Sequence, residues 1–513
     1  MNTTNKWLIT LSVLLPTLLE VIDTSVVNVS LDHIRGSLSA GLDEATWTIT
    51  AYLVSNAIII PLTGWMSRIF GRKRYLIASV VLFTVSSFLC GIANSLTALV
   101  FFRILQGIGG GALQPISQSI LLESFPPAQY GMAMAMFGVG IMFGPIVGPV
   151  MGGWITDNWS WRWIFFINIP IGIFSVGMLM KYIKDPPYLK RISIREKMDI
   201  WGLAFIVLGV GCLQVILDKG QREDWFSSDL IMRLAIISAL SLIAFIIVEL
   251  RTKDPILNLR DLKDISFASA NIIQFCAFFV LFGSIVLLPL FLQSLMGYTA
   301  FLAGFVLAPG GVATLFVMPI VGKMVTKTNP KWILFCGLLM NAYSMYTMTQ
   351  FNLNIDMDMA IWSRIILGIG MGMTFVPLTS LAFRTIKKEE MANATSIFSL
   401  LRNIAGSFGI AAMTTLLARR AQVHQLHYAE KLTPYDPHYQ MAMSKATAAM
   451  TAKAGTAAPM AAKGLIYQQL MEQSTLYAFI DAFYVAFIII LCVAPLVFFL
   501  KRSKSSDVNI MAH

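Results

Sequence analysis

Charged residues are scarce in this 513-residue sequence: Asp, Glu, Lys and Arg make up 13% of the positions, and hydrophobic residues make up 57%. A water-soluble protein of this length needs far more polar side chains to cover its surface. The composition therefore excludes a soluble globular protein and predicts a protein embedded in a lipid bilayer.

Cysteine and histidine are also rare, with five residues of each type. The cysteines are odd in number and lie within apolar stretches, which predicts no disulfide framework. The histidines lie outside those stretches, so we expect no His-based metal site or catalytic dyad within the membrane. A Walker-type phosphate-binding sequence is absent, and the glycine-rich segment at Gly107 follows no predicted strand. The sequence thus predicts neither a cofactor nor an enzyme.

Apolar runs are what the sequence has in abundance, and a run of about 20 residues is long enough to cross a bilayer as a helix. The first run contains Glu20 and Asp23, is too long for the core of a signal peptide, and has no convincing cleavage site. We therefore count it as the first of fourteen transmembrane helices. The runs begin near Trp7, Thr46, Tyr75, Thr97, Met132, Trp163, Asp199, Leu230, Phe267, Thr299, Trp332, Met359, Asn393 and Thr475.

The formal net charge of +11 arises from Lys and Arg residues that are concentrated in alternate loops. Nucleic-acid binding would need these residues on one soluble face, so we expect no nucleic-acid partner. Loops rich in Lys and Arg stay on the cytoplasmic side of a membrane. The pattern therefore predicts that both termini lie in the cytoplasm.

The two ends of the sequence repeat each other at an offset of about 260 residues. Three pairs of segments match: PLTG with PIVG, RILQGIGGG with RIILGIGMG, and MAMAMF with NATSIF. Transporters commonly place their substrate path between such repeats. The predicted fold is an all-α polytopic membrane protein with two six-helix halves plus two inserted helices, fourteen transmembrane helices in total.

This repeat divides the chain into five parts, one of which is a predicted loop at 419–474. In this loop Ala, Met and Gln are abundant, and residues 439–454 are able to form a helix. The parts are the N-terminal six-helix half (1–184), the two-helix insertion with basic cytoplasmic flanks (185–264), the first five helices of the second half (265–418), an extracytoplasmic loop (419–474), and the last helix with a cytoplasmic tail (475–513).

The strongest local motif is the run GIMFGPIVGPVMGGW, in which glycine recurs at every fourth position from Gly140 to Gly152. Small residues at this spacing form a helical face on which two helix backbones can touch. Pro145 and Pro149 each remove a helix hydrogen bond and are expected to bend the segment. A plain packing face explains the glycines well, whereas the doubled Gly-Pro step is more specific.

That GxxxGPxxGG pattern resembles the antiporter signature of the Major Facilitator Superfamily. The segments LLEVIDTSVVNVSL, RILQGIGGG and WRWIFFINIPIG resemble the marks of its fourteen-helix drug:proton antiporter branch. The resemblance covers essentially the whole chain. It implies a bacterial inner-membrane exporter of drug-like molecules, with a periplasmic membrane-fusion adaptor and an outer-membrane channel as partners.

The loop after the second predicted helix, GWMSRIFGRK, resembles the gating motif of the same superfamily. Arg68 stands where the superfamily pattern has an aspartate, which puts a gating role for this loop in doubt. The residues expected to control conformation, from this loop and from the glycine-rich helix, are Gly64, Gly71, Arg72, Gly144, Gly148, Pro149, Gly152 and Gly153.

Ionisable side chains inside a membrane are costly and are therefore functional candidates. The helix rise places Asp23 and Arg103 both about 10 Å from the same membrane boundary, so a direct or water-bridged pair is possible. Protonation of Asp23 would free Arg103 to change partners, and the resemblance gives this arginine a role in proton coupling. A fixed structural salt bridge is the alternative.

Glu20 lies one helical turn from Asp23 on the same face, which suits either a proton carrier or a polar residue that lines a pore. Arg364 repeats Arg103 in the second half, but no acid there matches Asp23. Arg402 fits both a side chain that reaches to the interface and a coupling role. We therefore expect asymmetric coupling through Asp23, Glu20 and Arg103.

Further polar and aromatic residues within the apolar runs could line a substrate cavity. They are Asn28, Gln106, Gln114, Gln118, Asn271, Gln274, Asn341 and Tyr343.

Together these patterns predict a proton-coupled multidrug efflux transporter that exports lipophilic or amphipathic compounds by alternating access. The same fold would serve proton-coupled transport of a specific metabolite. A membrane-embedded enzyme or a receptor is disfavoured, because no convergent catalytic set and no large soluble effector domain is visible in the sequence.

Overall fold

The computed structural model describes residues 6–185, 199–252, 255–430 and 432–501, and the regular secondary structure in these ranges is helical. The fourteen long helices are α1 (Lys6–Val29), α2 (Leu42–Phe70), α3 (Arg72–Gly91), α4 (Leu96–Ser124), α5 (Tyr130–Asn158), α6 (Trp163–Tyr182), α7 (Ile200–Lys219), α8 (Asp229–Arg251), α9 (Ile265–Ser294), α10 (Ala300–Lys327), α11 (Pro330–Thr349), α12 (Met357–Ala382), α13 (Met391–Ala429) and α14 (Ala458–Val493). The prediction of an all-α membrane protein is confirmed.

The helices form because lipid offers no hydrogen bonds, so the backbone of each apolar run must satisfy its own polar groups. Polar side chains mark several helix starts. Ser95 accepts a hydrogen bond from the Ala98 backbone N–H at the start of α4, and Thr299 accepts one from Leu302 at the start of α10. Such caps satisfy donors that the first helical turn leaves free.

Twelve helices in the described ranges are long and apolar enough to cross a membrane. The other two predicted spans are also helical: α5 has 29 residues and α11 has 20 residues. Each of the fourteen predicted runs therefore contains a long helix, although the hydropathy of the described residues supports twelve crossings.

The start of α1 lies near the end of α4, where Lys6 is 5.8 Å from the Phe125 ring, and Lys501 after α14 bonds Asp264 before α9 at 3.1 Å. Arg68 near the end of α2 bonds the Pro255 carbonyl in the segment before α9, and these helix ends define what is here called the termini face. The two halves meet on this face. A Cβ added to Gly64, near the end of α2, would lie 3.0 Å from the Cα of Asn393 at the start of α13. Likewise, a Cβ on Gly131 would lie 3.3 Å from the carbonyl oxygen of Gly322. The structure is thus closed between the halves at the termini face.

Of the two inserted helices, α7 contacts both halves, and α8 packs against α7, where the Ser238 hydroxyl donates to the Gly209 carbonyl at 2.8 Å. Gln214 of α7 donates a 2.7 Å hydrogen bond to Ser407 of α13, while Lys219 at the end of α7 donates a 2.6 Å hydrogen bond to Thr46 of α2. The insertion therefore contacts the first half and the second half along the same edge. Of the basic flank predicted at the start of the insertion, residues 186–198 lie outside the described part of the chain.

Helices occupy much of the segment predicted as a loop at 419–474. Helix α13 continues to Ala429, a further helix spans Pro437–Ala454 (the loop helix), and α14 begins at Ala458. Hydropathy indicates only the part of a helix that crosses the membrane. Ala, Gln and Arg favour helix, so the helix extends beyond the apolar run. Arg420 and His424 on the extension of α13 both contact the Asp481 carboxylate of α14, which ties the two extensions together.

Candidate functional site

A buried ion pair lies within the first half. Arg103 of α4 donates from Nη1 to Oδ2 of Asp23 on α1 at 2.6 Å, and the two side chains are 1% and 0% exposed. The helix-rise argument therefore placed these residues correctly. A charge pair without solvent contact is costly to break, because removal of either charge leaves the other unpaired.

Two amides complete the coordination of Asp23. Gln106 and Asn168 each donate from their side-chain nitrogen to Oδ1 of Asp23 at 2.9 Å. Asn168 also donates to the Ser87 hydroxyl at 3.0 Å. Asp23 of α1 is thus bonded to α4 and α6 at once, with Arg103 on one oxygen and two amides on the other.

The guanidinium of Arg103 is fixed on several sides. Its Nε donates to the Thr48 carbonyl at 3.1 Å, and its Nη1 also donates to Oε1 of Gln106 at 2.7 Å. The guanidinium lies 4.2 Å from the centre of the Tyr52 ring, a favourable cation–π distance. These contacts leave Arg103 with partners that do not depend on the charge of Asp23.

Glu20 lies near this network but is less fully bonded. Its Oε1 accepts a 3.0 Å hydrogen bond from Asn56 of α2, while its Oε2 is buried without a hydrogen-bond partner among the described residues. An unsatisfied carboxylate oxygen in an apolar interior is unfavourable. Glu20 is therefore the acid of this region with open hydrogen-bonding capacity.

The second half has no copy of the Asp23 pair in its described part. Arg364 of α12 is buried like Arg103, but its Nη1 donates to the Ser284 hydroxyl at 3.1 Å. Arg402 of α13 instead crosses the interface and donates to Oε1 of Gln114 on α4. The ionisable groups of the core are thus arranged asymmetrically.

The glycine-rich face of α5 packs directly on α1. A Cβ added to Gly144 would lie 2.4 Å from a Val21 side-chain atom, and one on Gly148 would lie 2.4 Å from the Cβ of Ser25. Gly152 contacts Val26 in the same way at 3.0 Å, whereas Gly153 has nothing within 4 Å. The helix continues through Pro149, whose side chain is outside the described part. This face brings α5 against the helix that holds Asp23.

The predicted gating loop is organised by Arg72 rather than by an aspartate at position 68. Arg72 is buried and forms an ion pair with Glu123 at the end of α4. Gly71 has a φ of 85°, a left-handed conformation that glycine adopts without strain. Arg68 donates to the Pro255 carbonyl at 3.1 Å, so it ties α2 to the segment before α9.

The residues predicted to line a cavity fall into distinct environments. Gln106 belongs to the Asp23 network and Gln114 to the contact with Arg402. Asn28 and Tyr343 are exposed at the protein surface. The fully or almost fully buried members are Gln118, Asn271, Gln274 and Asn341. Asn271 donates to the Phe267 carbonyl of its own helix, whereas the other three donate to neighbouring helices. A role of any of them in substrate binding stays a prediction.

Sequence reasoning missed Asn168, Thr48 and Asn56 as parts of this site. Asn168 lies in the WRWIFFINIPIG segment, so the motif pointed to the right place without indicating the residue. Thr48 contributes only a backbone carbonyl, which no side-chain pattern can reveal. No group of three metal-ligating side chains occurs in the ranges that the structure describes.

With fold and site in place, comparison with known proteins identifies the class. The family model for the Major Facilitator Superfamily matches residues 13–410, and the chain belongs to this superfamily. It is 39% identical to the fatty acid resistance protein FarB of Neisseria gonorrhoeae over 83% of this chain and 84% of that protein. It is 34% identical to the multidrug export protein EmrB of Escherichia coli (strain K12) over 96% of this chain and 95% of that protein.

Solved structures support the same fold. The human organic anion transporter MFSD10 aligns with a TM-score of 0.59 at 12% identity, covering 95% of this chain and 99% of that chain. The proton:xylose symporter XylE aligns with a TM-score of 0.58 at 16% identity, covering 93% and 96%. At this identity the likeness concerns the fold alone.

Proposed function

We propose that this protein is a proton-coupled exporter of lipophilic or amphipathic drug-like molecules, in which Asp23 takes up the coupling proton. The observation that carries the proposal is the buried pair of Asp23 and Arg103, which joins α1 to α4 inside one half. Buried ion pairs in membrane helices are expensive, and proton relays are one established use of them.

The contacts suggest how a proton would act. Ionised Asp23 accepts hydrogen bonds from Arg103, Gln106 and Asn168. Protonation removes its charge and part of its accepting capacity, while Arg103 stays charged. Arg103 then relies on the Thr48 carbonyl, Gln106 and the Tyr52 ring. The bond between α1 and α4 weakens, and these helices are free to shift against each other.

The direction of transport and the substrate class follow from the relatives and from α5. EmrB is named a multidrug export protein and FarB a fatty acid resistance protein. Outward transport of apolar compounds by this chain is consistent with both names. The glycine face of α5 against α1 places a closely packed, motif-bearing helix beside Asp23.

Reconstituted vesicles with an acidic interior test the coupling, because substrate that enters from outside is then exchanged for protons that leave. Substrate addition is expected to dissipate the gradient with the wild-type protein and not with Asp23→Asn. Asp229→Asn is the matched control, since the Asp229 side chain is 95% exposed. The proposal fails if substrate never changes the gradient, or if Asp23→Asn transports like the control.

A competition experiment separates a multidrug exporter from a specific transporter. Many lipophilic compounds of a panel are expected to compete for a multidrug exporter, whereas only one metabolite would compete for a specific transporter.

We further propose that the loop helix and its flanks dock a periplasmic adaptor that leads to an outer-membrane channel, with the protein in the bacterial inner membrane and both termini in the cytoplasm. The supporting observation is that this segment is largely helical and exposes Tyr435, in the turn before the loop helix, together with Met441 and Met460 on helices. A photo-crosslinking residue at Met441 in native cells is expected to capture the adaptor. The same probe at Leu240, an exposed residue in the middle of α8, is the control. Equal labelling at both positions, or no adaptor at Met441, would contradict the proposal.

A further inference from the structure

Arg402 contacts the opposite half of the protein. It lies on α13, is 7% exposed, and donates from Nη2 to Oε1 of Gln114 on α4. Its Nη1 is buried and has no hydrogen-bond partner in the described part of the chain. The guanidinium also lies 5.9 Å from the centre of the Phe278 ring of α9. This cation is therefore only partly satisfied inside the interface between the halves.

Glu20 is the acid that interacts electrostatically with this arginine. Its Oε1 is bonded to Asn56, and its Oε2 is as unsatisfied as Nη1 of Arg402. The two side chains lie within electrostatic range of each other, and Gln114 lies beside both. Among the described residues, Glu20 thus has an acceptor atom without a hydrogen-bond partner, and Arg402 has a donor atom without one.

The other charged and titratable groups around Glu20 are already engaged or neutral. Asp23 lies one turn along α1 and is bound to Arg103 of α4. Tyr52 of α2 lies within hydrogen-bonding distance of Asn56 and stacks on Arg103. Arg402 is therefore the cation that is left to balance Glu20.

We propose that Arg402 is the counter-charge of Glu20 across the two halves, so that loss of the charge on Glu20 releases α13 from α1 and α4. This inference rests on the proposed proton coupling and adds a second step to it. The Asp23 pair lies within one half and cannot by itself hold the halves together. The Glu20 and Arg402 pair spans them.

The physical reason is the cost of an unbalanced buried charge. With Glu20 ionised, attraction to Arg402 and the bond to Gln114 hold the interface closed. With Glu20 neutral, Arg402 remains a buried cation without a balancing charge, which favours an arrangement that admits water to it. A two-state protein then shifts its population toward separated halves.

Distance measurements between spin labels test this directly. Labels at Phe70, the last residue of α2, and at Lys388, before α13, report on the closed termini face. Both side chains are exposed, and the five native cysteines are first replaced. Wild-type protein is expected to populate longer distances as the pH falls. Glu20→Gln is expected to raise the ratio of separated to closed states more than about tenfold at neutral pH.

The arginine variants separate charge balance from packing. Glu20→Gln combined with Arg402→Gln removes both charges and is expected to restore the closed distances at all pH values. Arg402→Gln alone is expected to reverse the pH response, because ionised Glu20 is then the buried charge without a counter-charge: the halves separate at alkaline pH and close as Glu20 takes up a proton. Arg402→Lys keeps the counter-charge and is expected to keep the wild-type transition. Arg364→Gln, which removes a buried arginine bonded to a neutral serine, is the control and keeps the wild-type transition.

The inference is overturned if Arg402→Gln keeps the wild-type transition, or if the double variant stays separated like Glu20→Gln alone. The experiments distinguish failure of this inference from failure of the proposed function. If Asp23→Asn abolishes gradient dissipation while the distance data contradict a charge link between Glu20 and Arg402, proton coupling stands and this step falls. If Asp23→Asn leaves gradient dissipation intact and the distance data also contradict the charge link, both fall.

Discussion

Asn168 and Gln106 donate to the same carboxylate oxygen of Asp23, one from α6 and the other from α4, both at 2.9 Å. The carboxylate is therefore held by three helices of the first half. This arrangement explains how a single protonation can affect the packing of several helices.

We predict that Asn168→Leu weakens the folded state by about 1–3 kcal/mol, because one donor to a buried carboxylate is lost. Transport is expected to fall, while substrate binding to the purified protein persists. Thermal unfolding in detergent and transport in vesicles measure the two effects. Asn158→Ala serves as the control, since Asn158 is an exposed amide bonded to its own helix. An Asn168→Leu protein with unchanged transport would remove this residue from the coupling network.

Arg103→Lys is expected to abolish coupled transport although it keeps the positive charge. The guanidinium donates from Nε to the Thr48 carbonyl and from Nη1 to Asp23 and Gln106, and it stacks on Tyr52. One ammonium cannot reproduce this geometry. Gradient dissipation by substrate is the measurement. Arg233→Lys, at an exposed pair on α8, is the matched conservative change. Coupling at the wild-type level in Arg103→Lys would mean that charge alone suffices.

Two glycines of α5, Gly148 and Gly153, are expected to differ in stability when each is replaced by alanine. The Cβ of Gly148→Ala would lie 2.4 Å from the Cβ of Ser25, so α1 and α5 must separate, at a cost of about 1–3 kcal/mol. Gly153→Ala meets nothing within 4 Å and is expected to leave stability equal or slightly higher, since alanine favours helix. Melting temperatures and transport rates compare the pair. Equal losses in both variants would contradict the packing interpretation.

Asp261, outside the membrane-spanning helices, gives a pH dependence with a definite sign. It accepts a 2.7 Å hydrogen bond from Asn393 at the closed termini face. Burial raises its pKa to about 6, although that hydrogen bond lowers it, and the charge of Glu390 raises it further.

A carboxyl with a raised pKa binds a proton more tightly in the folded state, so its contribution to stability is present below about pH 4 and is lost as the pH rises to about 6. We predict that wild-type protein gains more thermal stability than Asp261→Asn between pH 7 and pH 5. Asp229→Asn, at a surface position, should behave like the wild type. Parallel pH curves for wild type and Asp261→Asn would rule out this titration.

The sequence was a good guide to the pairing of Asp23 with Arg103, because helix rise converts residue spacing into depth and only a partner at equal depth can balance a buried charge. It was a poor guide to side chains whose position depends on helix rotation. For Gln106, predicted to line a cavity, the sequence did not indicate the bond to Asp23. Asn168 was missed, because α6 is interrupted near Ile167 and its facing direction cannot be read from a smooth helical repeat.

The sequence by itself determined the membrane class, the positions of the helices and the glycine face of α5. Hydropathy and residue spacing are local properties, and a bilayer leaves the chain few alternatives to helix. Only the tertiary structure decided that Arg402 reaches across the two halves to Gln114, and that helices fill most of the segment at 419–474. Such contacts depend on how helices distant in sequence rotate and pack, which no local pattern specifies.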